Sequence, residues 1–395
     1  MKSKAALTTS PNSSSRRKDM AAPGTGAVRG NGGRVTLKEI AAQAGVSVTT
    51  ASLVLAGKGA ARRISGEVEV RVREVAAARD YSPNLLVRSL QDGRTNILSF
   101  YSAFGHREQD DLYMDRVSTA VERAAGARGY DVLVHCDVSR SVDETYRRLN
   151  GGRADGLLFF GPYQNDPLLP LLRGSRLPTV LLNHQDPEGV LSSVLDDMHG
   201  GMASIVSTLI SLGHRRIAAI ANVPGLRSDA PFRIAALREL LGAAGIEIPD
   251  HWIIPLHRGS EHTPESALRL LLSEPEPPTA LFCWHDRVGY EMLEACERLS
   301  VRVPTDLSLV GYDGIHWPST ARNVLASVEV PIDTLADAAV ALLDSLIVGP
   351  DAPSLVHQVF PVTFSSGDTL APPRRQLSNH ERGSHATPPL PDTFR

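Results

Sequence analysis

The sequence predicts an α/β protein that carries a small helical module ahead of a larger body of parallel sheets. The chain has 395 residues, and because domains usually run to about 100–200 residues, two or three domains are expected. Short apolar runs without strict alternation recur after residue 95, which is typical of strands covered on both faces. Residues 95–370 are long enough for two such sheets side by side, with a ligand cleft at the carboxyl ends of their strands.

Apolar runs and helix-sized spacers alternate through this body, as in repeated βα units. The predicted strands are residues 97–100, 130–134, 156–160, 179–182, 217–220, 280–283 and 307–311. The spacers that predict helices include residues 112–128, 234–244 and 290–299.

Charge is distributed unevenly along the chain. Residues 1–94 contain 16 Lys and Arg against 7 Asp and Glu, whereas the remaining residues contain 25 against 37. A cationic end joined to an acidic body is typical of a nucleic-acid-binding module attached to a domain with another task.

The two ends and the cysteines narrow the class of protein further. Residues 1–33 and 371–395 are rich in Ser, Gly, Pro and charged residues, so both are predicted to be disordered tails, the first of them basic. The first residues have too short an apolar run for a secretory signal, and no apolar stretch approaches the roughly 18 residues that span a bilayer. Three cysteines form neither a disulfide framework nor a metal-ligand spacing. A cytoplasmic protein without membrane contact, metal or cofactor is expected.

Residues 34–79 contain the signals of three short helices. Thr36 and Glu39 form a capping box at the start of the first helix. Gly45 permits a left-handed turn, and Ser47 caps the second helix. A third helix is expected over residues 65–79. Three short helices with a tight glycine turn between the first two predict a helix-turn-helix.

The residues of this module closely resemble those of the lactose repressor (LacI) family. The matching runs are Val35-Thr36-Leu37-Lys38-Glu39-Ile40-Ala41, Ala44-Gly45-Val46-Ser47, Thr50-Ala51-Ser52, Tyr81-Ser82-Pro83-Asn84 and Ser89-Leu90. Later matches are Asp196-Asp197 with Gly200, residues 209–217 and residues 303–313. The resemblance covers about residues 34–370. It implies a helix-turn-helix headpiece at 34–79, a hinge helix and linker at 80–94, and a two-lobed periplasmic-binding-protein-like domain at 95–370.

The resemblance also implies how the headpiece contacts double-stranded DNA. The helix that begins at Ser47 would enter the major groove with Val48, Thr49 and Leu53 nearest the bases. Two aliphatic side chains and a hydroxyl cannot make bidentate bonds to guanine or adenine, so contacts to thymine methyl groups are expected. An alternative for Leu53 is packing within the headpiece.

Further residues are expected to position the headpiece on DNA or to form the hinge. Phosphate contacts are assigned to hydroxyl and basic side chains, with a solvated loop as the alternative for Arg62 and Arg63. In the family, paired hinge helices of a homodimer insert a leucine into the minor groove, and Leu90 is the matching residue. Docking of Leu90 on its own domain is the alternative. The predicted DNA-binding residues are Thr36, Ser47, Val48, Thr49, Thr50, Ser52, Leu53, Lys58, Arg62, Asn84 and Leu90.

Two matches in the body carry ligand chemistry. Arg233 and Asp286 fall where the family places a cleft arginine and a cleft aspartate, and together such groups can bind vicinal hydroxyls. A sugar or related polyol is the expected effector, and a salt bridge that braces the lobes is the alternative role for the pair. Asp313 and His184 are weaker candidates. The predicted effector-binding residues are Asp111, Tyr113, Arg233, Trp284, His285, Asp286 and Asp313.

Three functions compete for this sequence. The first is a dimeric transcriptional regulator, most often a repressor, that binds an inverted-repeat operator under effector control. The second is a sugar-binding protein of an uptake system, which would need an export signal and no cationic headpiece. The third is an enzyme, which is disfavoured because adjacent residues such as His285 and Asp286 would point to opposite faces of a strand. The sequence favours the regulator.

Overall fold

The computed structural model describes residues 35–84, 89, 93–103, 111–135, 140–161, 165–222, 230–256, 261–349 and 355–374. The chain divides into two units, Met1–Arg88 and Ser89–Arg395. The predicted tail at 1–33, residues 85–88 and 90–92 of the predicted hinge, which include Leu90, and residues 375–395 lie outside the described residues.

The first unit is a three-helix module. Its helices are α1 (Leu37–Ala44), α2 (Val48–Leu55) and α3 (Gly66–Ala78), with a short 3₁₀ turn at Ala60–Arg62. The Thr36–Glu39 capping box is present, and Gly45 takes φ 65° between the first two helices. The buried core of the module includes Ala41, Ala44, Ala51, Val54 and Val72, and Ile40 and Ala76 are also buried. These features confirm the predicted helix-turn-helix.

Two basic side chains of α3 hold the other two helices. Arg71 donates through Nε to the carbonyl of Ala44 at 2.9 Å, and Arg73 donates to the carbonyl of Val54 at 3.2 Å. Both carbonyls lie at the carboxyl end of a helix, where the usual intrahelical donor is missing. The carbonyl of Val54 also accepts from the amide of Gly57 at 3.1 Å.

The second unit contains two parallel sheets, as predicted. Lobe 1 has the strand order β11-β5-β4-β3-β1-β2, and lobe 2 has the order β7-β6-β8-β9. A separate antiparallel pair joins β10 to β12. The strands are β1 (Ile97–Ser102), β2 (Asp131–Val134), β3 (Gly156–Phe160), β4 (Thr179–Leu182), β5 (Ser192–Asp196), β6 (Ile217–Ala221), β7 (Ile253–Pro255), β8 (Ala280–Cys283), β9 (Ser308–Val310), β10 (Ser327–Glu329), β11 (His357–Phe360) and β12 (Thr363–Ser365).

Helices follow most of these strands. They are α4 (Leu112–Gly126), α5 (Val142–Leu149), α6 (Leu168–Arg173), α7 (Met198–Ser211), α8 (Ala230–Ala243), α9 (Pro264–Leu272), α10 (Asp286–Arg298) and α11 (Ile332–Val348). All seven predicted strands and the three predicted helices are present.

Strand β3 shows why the apolar runs do not alternate. Leu158 and Phe160 belong to one buried cluster, whereas Leu157 and Phe159 belong to another. Because successive side chains point to opposite faces of a sheet, β3 is covered on both faces and needs apolar residues at every position.

The chain passes between the lobes at three crossovers. The first follows β5, where Asp197 caps α7 by accepting from the amide of Gly200 at 2.9 Å. The second lies between β10 and α11, and the third between β11 and β12. At the third crossover, the amide of Asp197 donates to the carbonyl of Phe360 at 2.8 Å. The first and third crossovers therefore lie beside one another.

Five strands were not predicted from the sequence. They are β5, β7, β10, β11 and β12, which have polar residues, such as Ser192 and Ser193, or only three residues. Lobe 2 also extends past the expected boundary at residue 370. The amide of Ala371 donates to Ser308 at 3.1 Å, and Arg374 lies 3.3 Å from Asp306.

Candidate functional site

The solvent-facing side of α2 carries the predicted base-contacting residues. Val48 is 45% exposed, Thr49 is exposed, and Leu53 is half-buried. Leu53 is not among the side chains that pack on the buried core of the headpiece. The helix therefore presents methyl groups and a hydroxyl on its outer surface.

The hydroxyls at the start of the first two helices are already engaged. Ser47 Oγ accepts from the amide of Thr50 at 3.0 Å and lies 2.8 Å from Thr50 Oγ1. Thr36 Oγ1 donates to the Glu39 carboxylate at 3.0 Å. Because these hydroxyls stabilise the helix starts, a phosphate contact from Thr36 would have to replace its bond to Glu39.

The remaining predicted DNA-binding residues surround this helix or follow the module. Ser52 is half-buried, whereas Lys58, Arg62 and Asn84 are exposed. Arg62 lies in the 3₁₀ turn before α3. Leu90 lies outside the described residues.

In the second unit, the predicted effector residues lie near the carboxyl ends of strands or the starts of helices. Asp111 caps α4 by accepting from the amide of Met114 at 3.1 Å. The ring of Tyr113, in the first turn of α4, lies 6.2 Å from that of Phe160 at the end of β3. Both residues therefore belong to lobe 1, at the edge of the sheet where a ligand of an α/β fold is expected.

Arg233 is the most constrained residue of the candidate cleft. Its side chain is buried, with 3% exposure, and it donates to the backbone carbonyl of Trp284 at 2.5 Å. It also forms an ion pair of 2.8 Å with Asp313, and its guanidinium lies 3.9 Å from the centre of the Tyr312 ring. Among the described residues, the carboxylate that pairs with Arg233 is therefore Asp313 in the same lobe. The alternative role in which Arg233 and Asp286 form a bracing salt bridge is wrong.

The backbone of Asp313 takes φ 110°. A non-glycine residue in this region is strained, and such strain persists only where surrounding bonds hold it. The amide of Asp313 donates to the carbonyl of Val328 at 2.9 Å, while its carboxylate binds Arg233. Asp313 is thus a direct ion-pair partner of Arg233.

Asp286 is buried at the start of α10. Its two carboxylate oxygens accept from the amide of Ile315 and from Ser327 Oγ, each at 2.6 Å. Burial, followed by the neighbouring carboxylate of Asp313, raises the pKa of Asp286 well above its usual range. Each oxygen can accept a further bond, since a carboxylate offers about four lone-pair sites.

Trp284 and His285 form a pair of rings directly after β8. Their ring centres are 3.8 Å apart with planes tilted by 44°. His285 caps α10, since its Nδ1 accepts from the amide of Val288 at 3.1 Å. Burial lowers the pKa of His285, so the ring is neutral. Neither His285 nor Asp286 lies in a strand, so the argument that a strand separates their side chains is wrong.

Three residues of the cleft were missed by the sequence analysis. Tyr312 donates its hydroxyl to Asp196 at the end of β5 at 3.0 Å. Phe232 packs on His184, with ring centres 5.4 Å apart, and so joins α8 of lobe 2 to the loop after β4 of lobe 1. The late motif that contains Tyr312 and the crossover motif that contains Asp196 were the available signals, whereas Phe232 had none.

The described residues contain neither a metal-binding cluster nor a membrane-spanning helix. No group of three or more His, Cys, Asp or Glu there is placed to hold a metal ion. In the same ranges, no helix is long and apolar enough to cross a bilayer.

Two family models match the chain. One, described as bacterial regulatory proteins of the lacI family, matches residues 36–84. The other, described as a periplasmic binding protein-like domain, matches residues 206–370. The first match covers the three-helix module, and the second covers most of lobe 2 together with α11 and β11 of lobe 1.

Two curated relatives are similar to this chain over most of its length. The HTH-type transcriptional repressor PurR of Serratia proteamaculans (strain 568) is 29% identical over 336 residues, covering 82% of this chain and 94% of the relative. PurR of Proteus mirabilis (strain HI4320) is 29% identical over 335 residues, with shares of 82% and 94%.

Two solved structures show the same fold. The lac repressor dimer bound to operator and the anti-inducer ONPF has a TM-score of 0.73 at 23% identity, covering 86% of this chain and 100% of that chain. The complex of the transcriptional regulator CelR with cellobiose has a TM-score of 0.60 at 27% identity, with shares of 85% and 100%. With the headpiece, the two-lobed body and these matches in agreement, the chain belongs to the LacI family of DNA-binding transcriptional regulators.

Proposed function

We propose that this regulator is a cytoplasmic repressor that binds an inverted-repeat operator as a homodimer and is controlled by a sugar or polyol bound between its lobes. The observation that carries this proposal is the network around Arg233, which connects residues of the candidate cleft to the first crossover through Tyr312 and Asp196. A ligand that changes this network changes the arrangement of the two lobes.

The sugar class is supported by the polar groups of the cleft and by one relative. Arg233 carries nitrogen donors, and Asp286 can accept bonds beyond those from Ile315 and Ser327. The related regulator CelR is described in complex with cellobiose. The residues proposed to bind the effector are Asp111, Tyr113, Arg233, Trp284, His285, Asp286 and Asp313.

The proposed mechanism couples two sites. Closure of the lobes around the effector shifts the first lobes of the dimer, separates the hinge helices and removes the shared register of the two headpieces. A coupling free energy of about 1–3 kcal/mol would alter operator occupancy about 5- to 150-fold. The proposed DNA contacts are the exposed face of α2 in the major groove and Leu90 in the minor groove.

The first experiment identifies the DNA. Duplexes bound by the full-length protein are selected from a random pool, and the expected product is an inverted repeat. Leu90→Ala should then weaken binding to the selected duplex much more than binding to a scrambled duplex. Equal losses on both duplexes would remove the hinge leucine from the proposal, and a pool without an inverted repeat would overturn dimeric operator binding.

The second experiment identifies the effector class. Mobility-shift titrations with the selected duplex are repeated with D-glucose, D-galactose, cellobiose and lactose, and with adenine as a non-sugar control. One or more sugars should change the operator affinity at least fivefold. Asp286→Asn keeps the size of the side chain and should reduce that response. A response to adenine alone would contradict the sugar class.

A further inference from the structure

Three buried ring nitrogens lack a hydrogen-bond partner among the described residues. They are His184 Nε2, Trp252 Nε1 and Trp284 Nε1. A buried polar atom without a partner costs about 1–3 kcal/mol, and most buried polar groups in native proteins are paired. Each of these atoms therefore needs an explanation.

The positions of the three rings in the sheets differ. Trp284 directly follows β8, and His184 follows β4, so both lie at the carboxyl ends of parallel strands. Trp252 ends the 3₁₀ turn that precedes β7, so it lies at an amino end. Ligands of α/β folds bind at the carboxyl ends. Position therefore separates two of the unpaired nitrogens from the third.

The first turn of α8 brings Trp284 and His184 into one neighbourhood. Phe232 contacts the ring of His184, with centres 5.4 Å apart. The next residue, Arg233, donates to the backbone carbonyl of Trp284. Since Phe232 and Arg233 are consecutive, the His184 ring of lobe 1 and the Trp284 backbone of lobe 2 both contact residues of the same helical turn.

The loop that carries His184 is held firmly. The carboxylate of Asp186 accepts from the amides of Val190 and Leu191 at 2.9 and 3.1 Å. It also forms an ion pair with Arg173 of α6. A loop fixed by this many bonds to one buried carboxylate keeps the imidazole of His184 in place, so it does not depend on a ligand for its position.

We infer that Trp284 Nε1 and His184 Nε2 are specificity-determining contacts to the effector, one from each lobe, and that the effector is an uncharged sugar ring. This inference rests on the proposed function and deepens it. The indole N–H can only donate, so the effector must present an oxygen acceptor to lobe 2. The adjacent Trp284 and His285 rings provide an apolar surface against which the C–H face of a sugar ring can pack.

The charge state of His184 agrees with an uncharged ligand. Burial lowers the pKa of His184, opposed by the carboxylate of Asp186. A neutral imidazole offers one donor and one acceptor nitrogen, which suits a hydroxyl group that can both donate and accept. The nearby charge of Arg233 is paired with Asp313.

The test compares three ring substitutions that each remove an unpaired nitrogen. Trp284→Phe and His184→Phe keep an aromatic ring at the cleft, and Trp252→Phe is the matched control at the opposite edge of the sheet. The full-length proteins are titrated calorimetrically with D-glucose, D-galactose, cellobiose and lactose. Each cleft variant should raise the Kd for the sugar about 3- to 10-fold. The double cleft variant should show roughly the product of the two losses, and Trp252→Phe should stay within about twofold of the parent.

The outcomes separate this inference from the proposed function. If the parent protein binds a sugar and both cleft variants bind it equally well, the inference is overturned while the proposed function stands. If Trp252→Phe loses as much affinity as Trp284→Phe, the losses reflect general damage and the inference also fails. If the parent binds none of these sugars, the sugar class fails together with the inference. Melting temperatures without added sugar, measured for every variant, show whether it is folded.

Discussion

The hydroxyl of Tyr312 donates a hydrogen bond of 3.0 Å to the carboxylate of Asp196. Tyr312 belongs to the segment after β9 of lobe 2, and Asp196 ends β5 of lobe 1 at the first crossover. The face of the same ring lies 3.9 Å from the guanidinium of Arg233. One buried side chain therefore touches both the candidate effector site and the connection between the lobes.

The first prediction separates sugar binding from the effect of the bound sugar on operator affinity. Tyr312→Phe keeps the ring beneath Arg233 and removes the bond to Asp196. We expect the sugar affinity to stay within about threefold, while the sugar-induced change in operator affinity falls by about 1 kcal/mol. Calorimetry measures the first quantity, and mobility-shift titrations with and without sugar measure the second.

The control for this variant removes another tyrosine hydroxyl from lobe 2. Tyr290 lies 2.9 Å through its hydroxyl from His316 Nδ1, so Tyr290→Phe loses a comparable bond away from the crossovers. In Tyr290→Phe, the sugar-induced change in operator affinity should equal that of the parent protein. Undiminished coupling in Tyr312→Phe would show that the bond to Asp196 transmits nothing.

The second prediction concerns the space around Tyr312. A Cβ atom at Gly201 would lie 2.7 Å from the Tyr312 hydroxyl and 3.0 Å from side-chain atoms of Val328 and Val362. Gly201→Ala should lower the unfolding free energy of the body by about 1–3 kcal/mol, because these packed groups must move. Thermal unfolding measured by circular dichroism provides the comparison.

A second glycine serves as the reference for this substitution. Gly242 lies in α8, and a Cβ there meets nothing within 4 Å. Gly242→Ala should be neutral or stabilising by up to about 1 kcal/mol, since alanine is the better helix former. Equal melting temperatures for the two variants would mean that the crossover tolerates the extra methyl group.

The third prediction tests how the exposed face of α2 contacts DNA. Replacing thymine by deoxyuridine in the selected operator removes only the 5-methyl group. If Val48 packs on that methyl, the parent protein should lose about fourfold in affinity, in keeping with roughly 0.8 kcal/mol for a buried carbon. Val48→Ala should lose less from the same replacement. Val70, which is 57% exposed on α3, provides the control Val70→Ala. If Val48→Ala loses as much operator affinity as the parent protein when thymine is replaced by deoxyuridine, Val48 does not contact the methyl group.

The fourth prediction concerns pH. Burial, with the positive charges of Arg153, Arg140 and Arg148, lowers the pKa of His135 to about 4. In the unfolded chain the imidazole titrates near 6.5. As the pH falls from about 6.5 to 4, the unfolded state binds a proton that the folded state does not, so stability decreases over this range.

Removing the histidine should weaken this dependence. His135 Nε2 lies 3.1 Å from Ser99 Oγ, and His135→Gln retains a group that can bond to that hydroxyl. Urea midpoints at several pH values between 4.5 and 7.5 should decrease less steeply with acid in this variant than in the parent. His251→Gln, at a largely exposed side chain, should keep the parental slope. If the urea midpoint of His135→Gln decreases with acid as steeply as that of the parent, other groups cause the loss of stability at low pH.

Local features of this protein could be derived from the sequence because they depend on neighbouring residues. The capping box at Thr36, the left-handed turn at Gly45 and the cap at Ser47 each involve residues within a few positions of one another. The strands of the body were recognisable because burial on both faces requires continuous apolar runs. Strand β11 was not, because its exposure alternates and it joins the edge of the lobe 1 sheet beside β5 from far along the chain.

The partners within the candidate cleft were decided by the tertiary structure. By family resemblance, the sequence pairs Arg233 with Asp286 and leaves Asp313 as a weaker candidate. Only the folded chain places Asp313, 80 residues from Arg233, against the guanidinium, and turns Asp286 to Ser327 and Ile315. Likewise Tyr312 meets Asp196 across 116 residues. Such pairs follow from how separate strands and helices pack, because side-chain bonds between distant segments require a relative orientation that no local pattern encodes.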